Sequence, residues 1–290
     1  MADTVLVLGA SGKTGRHSIK AFTAAGWNVK TFDRQKDELM AAAEGADVIV
    51  NGLNPPNYHN WGSILPRITE QVIDAAQANG STVILPGNVY HFGNEPGVWS
   101  ETSMPNPVSK KGQLRLEMEE AYRNSEVQTI VLRAGNFIDP DSDSCVMSLM
   151  YLRNIENHKV TLPGPASTKQ AMCYLPDWAK AAAQLAAMRK ELASFEDIPH
   201  PGHTLSGNEI KRHLEAILNH QIEFTHFPWW LFSMLSPFWE LAREMKEMRY
   251  LWNTDHSLCE KRFNSLLPDF ERTDLEAVLR SALPERLRCV

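Results

Sequence analysis

A glycine-rich turn near the start of the chain is the segment that says most about what the protein could bind. Glycine recurs at every third residue in Gly9-Ala10-Ser11-Gly12-Lys13-Thr14-Gly15. Such a turn suits the diphosphate of a dinucleotide, because its glycines permit a tight bend, close approach of the backbone to phosphate and close packing of the next helix. The residues predicted to bind the cofactor here are Gly9, Ser11, Gly12, Lys13, Thr14 and Gly15.

An acidic residue bears on which dinucleotide would bind. Asp33 follows a predicted strand over residues 27–32 and lies about 20 residues beyond the turn, where a carboxylate can hydrogen-bond the adenosine ribose. A carboxylate repels a 2′-phosphate, which favours NAD. The neighbouring Arg34 could stack on the adenine or bind that phosphate, which leaves NADP open.

Alternating strands and helices must position these residues. Buried apolar runs predict strands over residues 4–8, 27–32, 47–50, 82–85 and 128–132, and helical spacing predicts helices over residues 16–25, 36–44, 64–79 and 108–124. This alternation is typical of an α/β protein with a doubly wound parallel sheet of the Rossmann type. Only a short helix fits between Asp33 and the third strand, so we expect one edge strand to be missing or reduced.

Polar residues follow the predicted strands at their carboxyl ends, where open parallel sheets bind ligands. Gly52 and Leu53 leave the sheet there and are predicted to contact the cofactor. The residues assigned to substrate binding are Asn54, Tyr58, His91 and Asn136.

The pattern changes near residue 139, after which helices dominate. They are predicted over residues 144–157, 176–190, 207–219, 228–252 and 273–283, with short extended segments near 158–162, 170–174 and 222–224. We expect a nucleotide-binding Rossmann domain over residues 1–138. Residues 139–290 are expected to form a smaller, mostly helical substrate-capping lobe, with about residues 170–190 packing back on the Rossmann core.

An aromatic segment over residues 227–239 has the sequence Phe-Pro-Trp-Trp-Leu-Phe-Ser-Met-Leu-Ser-Pro-Phe-Trp. It admits three interpretations: the apolar wall of the second lobe, a subunit contact, or a membrane-surface segment. The first is favoured over the membrane because the segment lacks the basic residues that anionic lipid would attract.

Composition narrows the classes of partner. The net charge is −6, without a basic run, which argues against nucleic acid. No stretch approaches the roughly 18 apolar residues that a membrane span requires. The 4 cysteines are scattered without metal-ligand spacing, so we predict no metal site and free thiols. The first strand begins near Thr4, which leaves no room for a signal peptide, so we expect a cytoplasmic protein.

Five segments resemble motifs of the extended and atypical short-chain dehydrogenase/reductases, the group of nucleotide-sugar epimerases, dehydratases and NmrA-like proteins. Residues 9–15 resemble its GxxGxxG turn, residues 88–90 lie where it often has VYG, and residues 105–109 resemble the approach to its catalytic helix. Residues 133–137 resemble its RPGNVYG segment, and residues 174–179 its YVDDVA segment. The resemblance covers nearly the whole chain and implies a Rossmann fold and a nicotinamide cofactor. A homodimer through the helices over residues 64–79 and 108–124 is typical of the family.

The family's catalytic YxxxK motif is replaced. Alignment of residues 105–109 places Lys111 at the tyrosine position and Arg115 at the lysine position, and Pro86 falls where the family has Ser or Thr. Positive charges on Arg115 and on the nicotinamide would favour a neutral Lys111 amine, which could act as general acid or base. Asn88, Tyr90 or His91 could hydrogen-bond the substrate oxygen, and Arg115 could hold the nicotinamide ribose.

Two functions remain open. One is an NAD(P)-dependent oxidoreductase, epimerase or dehydratase acting on a small hydroxyl or carbonyl compound, with a sugar nucleotide among the candidates. The other is a non-catalytic NAD(P)-sensing regulator of the NmrA-like type, which the loss of YxxxK suggests. The enzyme is favoured because a sensor has less need of an enclosing second lobe.

Overall fold

A six-stranded parallel sheet forms the centre of the computed structural model, which describes residues 2–55, 59–142 and 144–288. The strands are β1 (Thr4–Leu8), β2 (Asn28–Phe32), β3 (Val48–Asn51), β4 (Thr82–Gly87), β5 (Gly97–Trp99), β6 (Thr129–Arg133), β7 (Asn136–Ile138), β8 (Lys159–Leu162), β9 (Gln170–Tyr174), β10 (Phe195–Pro199), β11 (His203–Leu205), β12 (Glu223–His226) and β13 (His256–Leu258). The central sheet runs in the order β2-β1-β3-β4-β6-β10.

Helices cover both faces of this sheet. They are α1 (Lys13–Ala24), α2 (Leu39–Ala43), α3 (Trp61–Asn79), α4 (Lys110–Arg123), α5 (Leu175–Ala187), α6 (Gly207–Leu218), α7 (Trp229–Leu235), α8 (Glu240–Glu247), α9 (Lys261–Leu266) and α10 (Leu275–Ala282). Alternate residues of each strand face opposite sides, so Val5 and Val7 pack with α1 and α5. Leu6 and Leu8 pack on the other side with α2, α3 and α4. The predicted doubly wound α/β fold is therefore confirmed.

The sheet ends at β2, as the short connection after Asp33 predicted. Residues 33–47 are all described and contain α2 but no strand. The predicted helix over residues 36–44 shortens to Leu39–Ala43. Its first residues form a turn instead, because the amides of Lys36 and Asp37 both donate to the Asp33 carbonyl.

The opposite edge of the sheet is completed from the second half of the chain. β10 pairs with β6 in parallel, from Phe195 opposite Thr129 to Pro199 opposite Arg133. The sequence pattern predicts no strand there, because Phe-Glu-Asp-Ile-Pro alternates poorly and ends in proline. An edge strand tolerates both features, since one side of it needs no partner.

The second lobe combines helices with small sheets. β7, β9 and β11 form one sheet, β8 pairs with β12, and β5 pairs with β13. Its separate apolar core includes Ile210 and Leu214 of α6 and Val278 and Leu279 of α10. The pairing of β5 with β13 ties the segment between β4 and α4 to the C-terminal region.

Two predicted helices in this lobe are wrong in extent. Residues 144–157 form only a π-type turn over Met147–Tyr151 and a 3₁₀ turn over Ile155–Asn157. Apolar residues there, such as Met147, Tyr151 and Ile155, are buried in the second core, and buried residues of an irregular segment can have helical spacing by chance. The single helix predicted over residues 228–252 is broken near Pro237, because proline cannot continue the hydrogen-bond ladder.

Candidate functional site

The glycine turn brings three backbone segments into close contact at the carboxyl edge of the sheet. Gly9 has a φ of 73°, and a Cβ built on it would lie 2.8 Å from the Gly52 carbonyl oxygen. A Cβ on Gly15 would lie 2.2 Å from the Gly9 carbonyl oxygen. Side chains are excluded at both positions, so β1, α1 and the segment after β3 approach one another through bare backbone.

The amino end of α1 is built to receive an anion. Gly12 is its N-cap and provides no side-chain hydrogen bond. A Cβ on Gly12 would meet only the Gly9 carbonyl oxygen, at 3.1 Å. The first amides of α1 therefore face a surface without a capping side chain, which fits a diphosphate. Ser11 and Thr14 flank this surface, and the Ser11 carbonyl accepts from the Arg16 guanidinium at 3.0 Å.

Lys13 ties the turn to the second lobe. Its Nζ donates to the Ser144 carbonyl at 2.5 Å, across 131 residues of sequence. Burial lowers the pKa of this lysine from its usual value. One helical turn further on, His17 Nε2 lies 2.9 Å from the buried Asp139 carboxylate. The segment that opens the second lobe is therefore fastened along the amino end of α1.

Asp33 and Arg34 lie at the carboxyl end of β2, both exposed. The Asp33 carboxylate accepts from the Gln35 amide at 3.0 Å and lies 3.2 Å from Lys36 Nζ. The Gln35 amide, and then Lys36, lower the pKa of Asp33. The carboxylate is thus charged and accessible, as a ribose ligand requires.

Arg115 and Asn54, predicted separately from distant segments, meet in the structure. Arg115 Nη2 donates to Asn54 Oδ1 at 2.8 Å, and its guanidinium lies 4.9 Å from the Trp61 ring centroid. Leu53 lies beside them and donates its amide to Asn51 Oδ1 at 3.2 Å. The predicted substrate residue Tyr58 lies outside the described residues.

Asn88 and His91 belong to a buried ion network centred on Arg133. This guanidinium pairs with Glu119 of α4 and Asp197 of β10, each at 2.6 Å. It also donates to the Asn88 carbonyl at 2.5 Å and lies 3.3 Å from His91 Nδ1. Burial, with the nearby Arg133 charge, lowers the pKa of His91 to about 3. His91 is therefore an interior, neutral imidazole in this structure and only 3% exposed.

Tyr90 is fixed from the second lobe through its backbone. Asn88 Oδ1 accepts from the Tyr90 amide at 3.0 Å, which bends the chain after β4. Tyr250 donates its hydroxyl to the Tyr90 carbonyl at 3.2 Å and also lies 3.4 Å from Ser109 Oγ. Burial raises the pKa of Tyr250 to about 12, so its hydroxyl remains a donor. Asn136, half-buried, begins β7 and pairs in register with Met172.

Lys111 lies in a different environment from the one the sequence predicted. Its side chain is 2% exposed, and its ammonium donates to the carboxylates of Glu244 and Glu247. Both glutamates belong to α8 of the second lobe. The sequence predicted only positive charges around Lys111, whereas the structure adds two carboxylates from a distant helix. Its catalytic role stays a prediction.

The aromatic segment over residues 227–239 is divided between core and surface. Phe227 and Trp229 are buried in the core of the second lobe, and Trp229 Nε1 donates to the Pro163 carbonyl at 2.6 Å. Trp230, Met234 and Phe238 are 71%, 60% and 91% exposed and face outward. In the part of the chain that the structure describes, no helix is long and apolar enough to span a membrane.

Several side chains that surround the predicted site were not predicted from the sequence. Glu244, Glu247 and Tyr250 lie in a charged helical stretch whose pattern resembled a solvated face. Arg133 was noted only as part of a motif, although a charged residue at the end of a buried strand signals a partner. Among the described residues, no group of three or more metal-ligating side chains could hold an ion.

Comparisons with known proteins identify the fold. No protein-family model and no curated protein matches the chain. MoeE5, solved with UDP-glucose and NAD, is 16% identical over 96% of this chain and 97% of that chain, with a TM-score of 0.74. UDP-glucuronic acid 4-epimerase from Bacillus cereus, solved with UDP-glucuronic acid and NAD, is 15% identical over 96% and 97%, with a TM-score of 0.72.

A nucleoside-diphosphate-sugar epimerase from Staphylococcus aureus is 15% identical, covering 95% of this chain and 99% of that chain, with a TM-score of 0.69. All three structural similarities extend over both lobes of the chain. The resemblance that the sequence motifs indicated is therefore confirmed at the level of the fold.

Proposed function

We propose that the chain is an NAD-dependent enzyme of the short-chain dehydrogenase/reductase type. It would act as an oxidoreductase, epimerase or dehydratase on a small hydroxyl or carbonyl compound, and a sugar nucleotide is the leading candidate. One observation carries the proposal: Gly9, Gly15 and Gly52 leave no room for a Cβ where the uncapped amino end of α1 meets β1 and the segment after β3. Structures of the same fold that were solved with NAD and UDP-sugars support the choice of cofactor and substrate.

The chain's own residues fit NAD. The amides of residues 12–15 would hold the diphosphate, with Ser11, Lys13 and Thr14 beside it, and Gly52 and Leu53 would line the same wall. The Asp33 carboxylate would accept hydrogen bonds from the adenosine ribose. Arg34 lies beside it and could bind a 2′-phosphate, so NADP is the alternative cofactor. When bound, the nicotinamide would accept and return a hydride, so the protein must orient the substrate and manage one proton.

Lys111 is the proposed proton-transfer group. It lies in the first turn of α4, where the neighbouring Gly112 packs so closely on the segment after β4 that a Cβ on it would lie 2.6 Å from the Tyr90 carbonyl oxygen. Arg115, one helical turn later and held by Asn54, would bind the nicotinamide ribose. A lysine at this position can give a proton to a substrate oxygen and take it back, provided that its carboxylate partners release it.

Binding and turnover test the proposal together. Titration with NAD, NADH, NADP and NADPH, followed by calorimetry, should show binding with preference for the NAD pair. A panel of UDP-sugars and simple carbonyl compounds should then show turnover, which Lys111→Ala should reduce by about 10²-fold or more while cofactor affinity changes little. No cofactor binding would refute the proposal, and unchanged turnover in Lys111→Ala would refute the role of Lys111.

A second function, a non-catalytic NAD-sensing regulator, is favoured by the environment of Lys111. The residue at the tyrosine position is engaged by two carboxylates, and Pro86 offers no hydroxyl at the Ser/Thr position. A sensor must bind the oxidised and reduced cofactors with different affinities, since a ligand with equal affinity for two states shifts no equilibrium. Tight binding without turnover, and with a large affinity difference between NAD and NADH, would select the sensor. Tight binding with equal affinities would exclude it.

A further inference from the structure

Residues 229–247, comprising α7 and α8, form a segment that is weakly packed on the rest of the molecule; we call it the lid segment. α7 buries only Trp229, and α8 buries only Ala242. A short stretch with so little buried apolar surface separates from its neighbours at low free-energy cost. Between Trp229 and Met248 the segment contributes only two partly buried side chains, those of Phe232 and Met245, to the core of the second lobe.

Firm anchors lie at both ends of the lid segment. At its start, the indole of Trp229 is held by the Pro163 carbonyl and by the Phe227 ring, with the two ring centroids 4.7 Å apart. At its end, Met248 and Leu251 are buried, and Gln170 Nε2 donates to the Leu251 carbonyl at 3.0 Å. These anchors limit any motion of the segment to the residues between them, as in a hinged lid.

Polar contacts from α8 hold the lid segment against the candidate site. Glu244 and Glu247 accept from the Lys111 ammonium, and Glu247 Oε1 also accepts from the Lys110 amide at 2.5 Å. One turn earlier, the Glu240 carboxylate lies 2.8 Å from His59 Nδ1. Every one of these partners lies on α4 or just before α3, so α8 bridges the second lobe and the Rossmann half.

We propose that the lid segment closes the substrate end of the site by placing the Glu244 and Glu247 carboxylates on Lys111. A buried ammonium requires a compensating anion, and α8 supplies two of them in this structure. Any substrate that reaches Lys111 must take the place of these carboxylates, so opening precedes substrate contact. The identity of the substrate that is excluded rests on the proposed function. The closing of the site by the lid segment rests only on these contacts.

The isosteric double variant Glu244→Gln/Glu247→Gln tests the gate, because it removes both charges and keeps the shape of α8. Hydrogen exchange followed by mass spectrometry should show amides of residues 240–247 exchanging about tenfold faster than in the wild type. Glu276→Gln, which removes the exposed carboxylate that pairs with Arg280 on α10, is the matched control and should leave these amides unchanged.

Amine labelling of intact protein gives the second measurement, since it reports whether Lys111 becomes accessible. Lys111 should be labelled several-fold faster in the double variant and at the wild-type rate in Glu276→Gln. Unchanged exchange in α8 would overturn the proposal. Faster exchange without faster labelling of Lys111 would also overturn it, because the moving segment would not uncover the lysine. Neither measurement depends on cofactor binding or turnover, so failure of the gate is distinguishable from failure of the proposed function.

Discussion

Two buried histidines, His91 and His200, make the stability of this protein sensitive to pH. Burial, with a nearby arginine charge, lowers the pKa of each from 6.5 to about 3. Between those pH values the unfolded chain binds a proton at each site that the folded chain does not. The stabilisation is therefore complete above pH 6.5 and is lost as the pH falls toward 3.

Urea unfolding measured from pH 7.5 to pH 5 should show this dependence. Each histidine contributes a slope of up to about 1.4 kcal/mol per pH unit below its unfolded pKa, and His91→Gln or His200→Gln should remove its share. The exposed His226 provides the control, since His226→Gln should leave the slope unchanged. Slopes that are identical in all four proteins would contradict the neutral, buried state of the two imidazoles.

Individual site residues could be predicted where the residues that act together are neighbours in the sequence. The glycine turn was found because its residues are contiguous and each has a backbone reason to be glycine. The surroundings of Lys111 could not be predicted, because Glu244 lies 133 residues away and packing of the second lobe brings it to Lys111. The placement of His91 in the interior also depends on Arg133, Glu119 and Asp197, which meet from three elements.

At the scale of elements, the turn between β1 and α1 can be tested against a matched glycine. Gly9 and Gly26 both have positive φ, at 73° and 81°. A Cβ on Gly26 would meet nothing within 4 Å, whereas one on Gly9 would press on the Gly52 carbonyl. The two positions thus share a backbone conformation that strains any residue with a Cβ, and they differ in what that Cβ would contact.

Gly26→Ala should cost about 1–2 kcal/mol of unfolding free energy, from the left-handed backbone alone. Gly9→Ala should cost roughly 1–3 kcal/mol more, because the added methyl separates β1 from the segment after β3, and it should weaken NAD binding. Chemical unfolding and calorimetric titration measure the two effects. Equal losses in both variants would show that close approach at Gly9 is unimportant.

Element type was predicted well and element extent less well. β1 was predicted at its observed residues because a buried parallel strand is a continuous apolar run. The helix over residues 144–157 was not observed, since apolar residues of a loop that lines a core can have helical spacing by chance. β10 was missed because Phe195–Pro199 becomes a strand only through pairing with β6.

At the scale of the whole molecule, the two halves of the chain share one sheet. α5 supplies buried residues such as Trp178 and Leu185 to the face that β1, β4 and β6 present, and β10 covers the edge of β6. A fragment of residues 1–138 lacks both. We therefore expect this fragment to show no cooperative thermal transition by circular dichroism, whereas the full chain unfolds cooperatively. A cooperative transition in the fragment would show that residues 1–138 fold alone.

The early end of the sheet at β2 has a consequence for solubility. Among the described residues no strand pairs with the outer side of β2, so one row of its backbone amides and carbonyls faces away from the sheet. Such an edge can template aggregation with another chain. Lys30 lies at the middle of β2, and its Nζ donates to the carbonyls of Ala42 and Glu44 at 3.2 and 2.8 Å. A strand that added to this edge would have to desolvate a cation beside it. Lys30 therefore disfavours pairing of this edge with a strand of another chain.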